Sequence, residues 1–451
     1  MKRFYYFVYQ FLIVLFFPLI SLFLVARVVG RPEYREGIRQ RFGRYPNDFF
    51  KPIRGKKVFW VHAVSVGEVI SAGFFLRSLR ERYPECAVVF STVTPAGRAA
   101  ARNRLAGVDL FIYFPFDLIW VTRSVIRKVA PTLFIFLETE IWPSFLFSLS
   151  EKKIPALLLN GRISERGFRR YRRVRFFLRH VLDEVALFLM QTERDVDRIL
   201  ALGAPKERVE RTGNMKYDQA GAGRPAKAPS RSDVGLQEEE TLIIAGSTHV
   251  GEEEAVLDAY ETLTRSGAGP AALLIAPRHL DRLSDVERLI SERGYVPARK
   301  SALAGARKSQ RTDKTMTFGE WFEVERKTIL LLDTMGELEH LYPLADLIFV
   351  GGSLAPVGGH NVLEAAACRK PIFFGPHMDN FHEIADQLKR SGGGVEVLDG
   401  KDLGQKMAWM IRRPEEYKKR GESAYQVVIQ NRGAVARNLE RVARWAEKNE
   451  F

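Results

Sequence analysis

Twelve short apolar runs, each followed by a stretch of helical spacing, constrain this chain more than any other feature. Six of them are Val58 to Val64, Ala87 to Thr92, Leu110 to Phe114, Leu133 to Leu137, Ala156 to Leu159 and Ala186 to Met190. Six more are Thr241 to Ala245, Ala272 to Ala276, Thr328 to Leu332, Leu347 to Val350, Pro371 to Phe374 and Val395 to Leu398. Runs this short and continuous suit strands buried on both faces, and their alternation with helices implies parallel pairing through crossovers. Between the two series, Asp218 to Glu240 is rich in Ala, Gly, Pro and charge and reads as a linker. The expected fold class is therefore α/β, with two tandem Rossmann-like domains at residues 31–217 and 241–451 joined by residues 218–240. Ligands of such sheets lie beyond the carboxyl ends of the strands, so the cleft between the halves is where to look. Lys300 to Arg326 is a polar insertion, read as a surface hairpin or loop.

Ahead of the first domain, Phe4 to Ala26 contains no charged residue. At about 1.5 Å per helical residue such a run is long enough to cross a hydrocarbon core, and residues 1–30 are expected to be an uncleaved membrane anchor. Arg27, Arg31, Arg35, Arg39, Arg41 and Arg44 follow, a bias that places the next domain on the cytoplasmic side of the membrane. A helix lying in the plane of the interface is the alternative, because Gln10 and Pro18 interrupt the run.

The formal net charge of +15 calls for an acidic partner: nucleic acid, an anionic membrane surface or a phosphorylated substrate. Cys86 and Cys368 stand far apart in sequence, which argues against a disulfide framework, and neither C-x-x-C nor H-E-x-x-H spacing occurs. No metal site and no cofactor are expected. Arg162 to His180 is the most basic segment, with eight arginines interleaved with Phe168, Tyr171, Val174, Phe177 and Leu178. A solvated helix face would explain a charge run. Arginines sharing a helix with aromatics, among them Arg169, Arg170, Arg172 and Arg173, suit a surface that meets anionic lipid, and nucleic acid is the less favoured partner.

Polar groups recur where these strands end. Gly351 to Asn361, GGSLAPVGGHN, follows a strand and opens a helix, a geometry that suits a phosphate or merely a tight connection. Ser65-Val66-Gly67-Glu68 follows the first strand and has the spacing of a capping box, which on spacing alone is the favoured role. A carboxylate there could also serve as a general base. Glu138 and Glu140 end another strand of the same half, and Lys216 stands where that half gives way to the linker. In the second half Arg278 directly follows a strand, Asp333 to Glu337 occupies a similar position, and Asn361 and Glu364 share one helix face. His249, His279 and His360 share no spacing and are expected to be structural.

The motifs His62-Ala63-Val64-Ser65-Val66-Gly67-Glu68, Glu138-Thr139-Glu140-Ile141-Trp142-Pro143, Gly213-Asn214-Met215-Lys216, Ser247-Thr248-His249-Val250-Gly251-Glu252, Pro277-Arg278-His279, Asp333-Thr334-Met335-Gly336-Glu337-Leu338 and Gly358-Gly359-His360-Asn361 with Glu364 occur in that order. In them the chain resembles the Kdo transferases of lipopolysaccharide assembly, membrane-associated enzymes that move the acidic eight-carbon sugar Kdo from CMP-Kdo onto a lipid A precursor. The resemblance implies the two-domain glycosyltransferase arrangement called GT-B. It implies Glu68 as catalytic base, Glu138 and Lys216 as supports of the transition state, and Pro277, Arg278, Met335, Gly336, Glu337, Asn361, Val362, Leu363 and Glu364 as the residues that hold CMP. The chain departs from that pattern at Val362, where proline is expected, and in the length of the Lys300 to Arg326 insertion.

Because CMP leaves as a stabilised phosphate anion, positive charge and N–H donors serve it better than a strong acid, and one base acting in line inverts the anomeric centre. Three other readings stay open: a nucleotide-sugar epimerase, a transferase using a UDP donor, and a basic membrane-tethered binding protein without turnover.

Overall fold

The computed structural model describes residues 2–30, 35–220, 231, 240–301 and 327–449, with the backbone alone for residues 2, 3 and 18–29. Most of the expected linker and residues 302–326 of the insertion lie outside the described residues. Two compact units result, Met1–Asp218 together with Arg432–Phe451, and Gln219–Asn431.

The first unit is built on a parallel sheet of β1 (Val58–His62), β2 (Ala87–Thr92), β3 (Leu110–Tyr113), β4 (Leu133–Leu137), β5 (Ala156–Gly161), β6 (Leu187–Met190) and β7 (Val209–Arg211). Their order is β3-β2-β1-β4-β5-β6-β7, so the chain winds outward from β1 in one direction and then resumes at β4 on the other side. A crevice opens beyond the carboxyl ends of strands at such a reversal. Alternate residues feed two cores: Val58 and Trp60 pack with Phe134 and Phe145, while Phe59 and Val61 pack with Phe75 and Leu79.

The second unit repeats the plan with β8 (Thr241–Thr248), β9 (Ala271–Pro277), β10 (Val296–Arg299), β11 (Thr328–Leu331), β12 (Leu347–Val350), β13 (Ile372–Phe374) and β14 (Gly394–Glu396). The order β10-β11-β9-β8-β12-β13-β14 reverses between β8 and β12. All twelve apolar runs of the sequence become strands. Two further strands, β7 and β10, escape the pattern because each lies at a sheet edge, is short and has no buried residue, β7 being mostly polar (Val209-Glu210-Arg211) and β10 carrying a proline (Val296-Pro297-Ala298-Arg299).

Two expectations need correction. The second domain does not extend to residue 451, since the helix Ala434–Lys448 belongs to the first unit. Its Val435 and Val442 enter the core around Phe75, and Asp218 accepts from the backbone N of Gly433 (2.5 Å) and of Val435 (2.6 Å). Helical periodicity reveals an apolar face without saying which core receives it.

The anchor expected at residues 1–30 is not borne out either. Lys2–Gly30 is one helix, but its first turns are built into the first unit. Tyr6 is buried, Tyr9 Oη donates to Asp117 Oδ2 (2.9 Å) and Gln10 Nε2 donates to Ser144 Oγ (2.6 Å). Among the described residues no helix is long and apolar enough to cross a membrane. The uncharged run includes polar tips that are spent on a protein neighbour. Phe4, Phe7, Phe11, Val14, Leu15 and Phe16 remain exposed on the same helix.

Candidate functional site

In each unit several of the residues expected from the sequence meet at the ends of the strands. In the first, the helix Val66–Arg82 starts directly after β1, and the capping box is present: Glu68 N donates to Ser65 Oγ (3.4 Å), and the Glu68 carboxylate accepts from Ser65 N (3.3 Å). That carboxylate also accepts from Ser65 Oγ (2.8 Å) and Val64 N (2.9 Å). Capping does not consume its chemistry. Glu68 is only 7% exposed, and burial, reinforced by the negative charge of Glu138, pushes its carboxyl up to about 7 against the pull of those hydrogen bonds.

Glu138 is the first residue past β4, the strand next to β1, and holds a left-handed backbone with φ of 58°. A side chain with a Cβ is strained there, and the surrounding structure must hold it, as the bond from its N to Leu159 O (3.1 Å) does. Lys216 Nζ lies 4.0 Å from Glu138 Oε1. Glu140, two residues on, accepts from Trp142 Nε1 (3.2 Å), and burial followed by the charge of Glu68 lifts its carboxyl to about 7 as well. Buried carboxyls that resist ionisation, with one lysine beside them, form a proton acceptor poised near neutral pH.

Asn160 completes this cluster and was not singled out from the sequence. It is fully buried at the end of β5, also left-handed (φ 53°), and its Oδ1 accepts from Met215 N (3.0 Å), which fixes the loop that carries Lys216. An asparagine closing the apolar run Leu157-Leu158-Leu159 was the signal available.

In the second unit the first part of the glycine-rich loop, Gly352 to Ala355, is not the phosphate cradle its composition suggests. The fully buried Glu252, first residue of the helix Glu252–Arg265, takes its N–H groups: the carboxylate accepts from Gly352 N (2.7 Å), Ser353 N (2.9 Å), Leu354 N (2.8 Å) and Ala355 N (3.2 Å), as well as His249 N (2.9 Å). Gly351 is required here, because a Cβ would stand 2.8 Å from Glu252 Oε2 and 2.5 Å from Ser247 O. The helix after the loop, Leu363–Ala366, is a single turn.

Around this core, Pro277 ends β9 and Arg278 follows it half-buried, with no hydrogen bond or ion pair to another side chain among the described residues. Asn361 Nδ2 donates to Glu364 Oε1 (2.8 Å) and Asn361 Oδ1 accepts from Leu363 N (3.1 Å), so the two polar groups expected on one face do meet. Val362 is fully buried with φ of −78°, a value proline itself adopts. Met335 is exposed, Gly336 is left-handed, and Glu337 pairs with Lys300. The histidines, expected to be unrelated, converge: His249 Nε2 lies 2.8 Å from His360 Nε2, and the ring of His279 stands edge-on to His249 at 5.3 Å. Among the described residues no group of three or more His, Cys, Asp and Glu side chains is arranged to hold a metal ion.

Arg169, Arg170, Arg172 and Arg173 lie on the helix Glu165–Arg173, which buries none of its residues. Arg166, Arg169, Arg170 and Arg173 line a surface cavity of about 370 Å³ with Glu165, and Arg172 is not among its lining residues.

Comparison with known proteins bears on both clusters. Residues 36–219 match a family model described as 3-deoxy-D-manno-octulosonic-acid transferase (kdotransferase). The chain is 32% identical to a 3-deoxy-D-manno-octulosonic acid transferase of Haemophilus influenzae, an alignment covering 98% of this chain and 99% of that one. A transferase of the same description from Chlamydophila psittaci is 29% identical over 85% of this chain and 83% of its own. Among solved structures, a UDP-GlcNAc 2-epimerase from Neisseria meningitidis superposes with a TM-score of 0.55 at 14% identity, covering 86% of this chain and 100% of that one. That likeness is one of fold.

Proposed function

The chain belongs to the Kdo transferase family, and from that premise we propose that it transfers Kdo from CMP-Kdo to a hydroxyl of a lipid A precursor of the lipid IVA type, with inversion, in lipopolysaccharide assembly. One observation carries the mechanism: a buried carboxylate at position 68, held near neutral pKa at the carboxyl end of a central strand. In this reading the lipid hydroxyl attacks the anomeric carbon of Kdo, the bond from that carbon to the phosphate oxygen breaks, and CMP departs with the electron pair. Glu68 takes the hydroxyl proton. Lys216 and the strained Glu138 support the developing charges, and Arg278 steadies the departing phosphate. Pro277, Met335, Gly336, Glu337 and the segment Asn361 to Glu364 are assigned to CMP.

The direct test supplies purified protein with CMP-Kdo and a tetraacylated lipid A precursor and weighs the product. The expected result is a lipid heavier by one or more Kdo residues, with equivalent CMP released. Turnover with a UDP-sugar instead, or binding of nucleic acid at physiological salt with no CMP release, would favour the other readings.

For the acceptor side, the exposed aromatic face of the helix Lys2–Gly30 and the arginines of the helix Glu165–Arg173 support peripheral attachment to an anionic membrane, at the cytoplasmic face of the inner membrane. Each such arginine near a lipid surface contributes about 1 kcal/mol. Reversing Arg169, Arg170, Arg172 and Arg173 to glutamate is therefore expected to abolish sedimentation with anionic vesicles and raise KM for the lipid. The affinity for CMP should stay within about twofold, because those arginines belong to the other unit. Equal loss of both would refute this division of labour.

A further inference from the structure

The first part of the loop that looked like an anion cradle, Gly352 to Ala355, has its N–H groups occupied by Glu252, which leaves the side chains of this unit as the main source of positive charge for an anionic donor. Those that remain are His249 directly after β8, Arg278 with His279 directly after β9, and His360 on the loop that follows β12. β8 lies between β9 and β12 in the sheet, so three adjacent strand ends deliver them to one place.

The acidic groups of this region are already committed. Glu252 serves five backbone N–H groups, and Glu253 is held in a forked pair by Arg282 (3.0 and 3.1 Å). What is left is electropositive, as the behaviour of His360 records: burial first, then His249, Arg278 and His279, lower its pKa to about 4. The rings of His249 and His360 are nearly coplanar, at 6°, and meet edge to edge through their Nε2 atoms. One Nε2–H donates to the other, and the pair is held as a unit. His360 is further fixed over Gly352, where an added Cβ would stand 2.8 Å from its Cδ2.

We propose that His249 and His360 recognise the carboxylate of the donor sugar, beside the phosphate taken by Arg278. This rests on the Kdo-transfer reading. In an activated ulosonic acid the carboxylate and the phosphate oxygen are borne by the same carbon, so two anionic groups arrive a few ångströms apart. A guanidinium suits the tetrahedral phosphate by forked hydrogen bonds, and an N–H of the paired neutral imidazoles suits the second anion beside it. A donor with a neutral sugar brings only one such charge, so the pair would select an acidic sugar.

The test compares two ligands that share the phosphate and differ in the carboxylate. In His249→Asn and His360→Asn, the KM for CMP-Kdo is expected to rise roughly 10- to 100-fold, the loss of a hydrogen bond to a charged group. The Kd of CMP, measured by calorimetry, should stay within about twofold, and this retained binding shows that the unit is folded. Parallel weakening of CMP and CMP-Kdo would assign the histidines to the phosphate and overturn the proposal, as would an unchanged KM. If the unaltered chain binds CMP yet moves no Kdo, the Kdo reading itself fails and the proposal falls with it.

Discussion

Glu68→Gln is expected to lower kcat by about 100- to 10,000-fold while the KM for CMP-Kdo stays within about twofold, in keeping with the removal of a general base. Glutamine has nearly the shape of glutamate, and its Oε1 can still accept from Ser65 N, so the cap on the helix Val66–Arg82 is weakened and not erased. The same oxygen keeps the bond from Ser65 Oγ, and only the contact from Val64 N to Oε2 is lost, at a cost of about 1 kcal/mol. Melting should accordingly shift by only a few degrees, which separates a chemical defect from a folding one. Transfer that survives this substitution with donor binding unchanged would remove the base from the mechanism.

The second large effect is structural. Glu252→Ala leaves the backbone N–H groups of His249, Gly352, Ser353, Leu354 and Ala355 without the acceptor that gathers them. Each buried N–H that water cannot reach costs on the order of 1–3 kcal/mol, and breaking a buried charged network costs about 3–5 kcal/mol in all. For a unit of this size that corresponds to a fall in Tm of roughly 10 °C. CMP binding should be lost with it, because the loop carrying His360 and Asn361 is no longer held. Hydrogen exchange at Gly352 to Ala355 should accelerate in step. A variant that melts within about 2 °C of the unaltered chain would show that the loop is held by something other than this carboxylate.

These two residues illustrate what a sequence discloses and what it hides. The strands were legible because burial on both faces writes a continuous apolar run, as in Leu133 to Leu137, and the cap at Ser65 was legible because its partner is three residues away. Contacts between distant segments were not. Glu252 meets a loop about a hundred residues on, and His249 meets His360 across 111 positions, with no periodicity linking them. The glycine-rich loop misled for the same reason: composition shows that N–H groups can be presented, and only the fold shows that Glu252 has taken them. The anchor was misjudged because hydropathy counts Tyr9 and Gln10 without knowing that Asp117 and Ser144 await them.

Glu68 and Glu140 are both lifted toward neutrality, so any proton uptake observed there belongs to the pair. A base is inactive when protonated, and a carboxyl raised to about 7 protonates as the pH falls through that value. The pH dependence of kcat/KM for transfer, measured between about pH 5 and 9 in the unaltered chain and in Glu68→Gln, tests the role of position 68 most directly. Activity of the unaltered chain is predicted to fall tenfold per pH unit below an apparent pKa near 7 and to level off above it, with the residual activity of the variant free of that limb. A profile that is flat across neutrality, or a limb that persists when the carboxylate is gone, would contradict it.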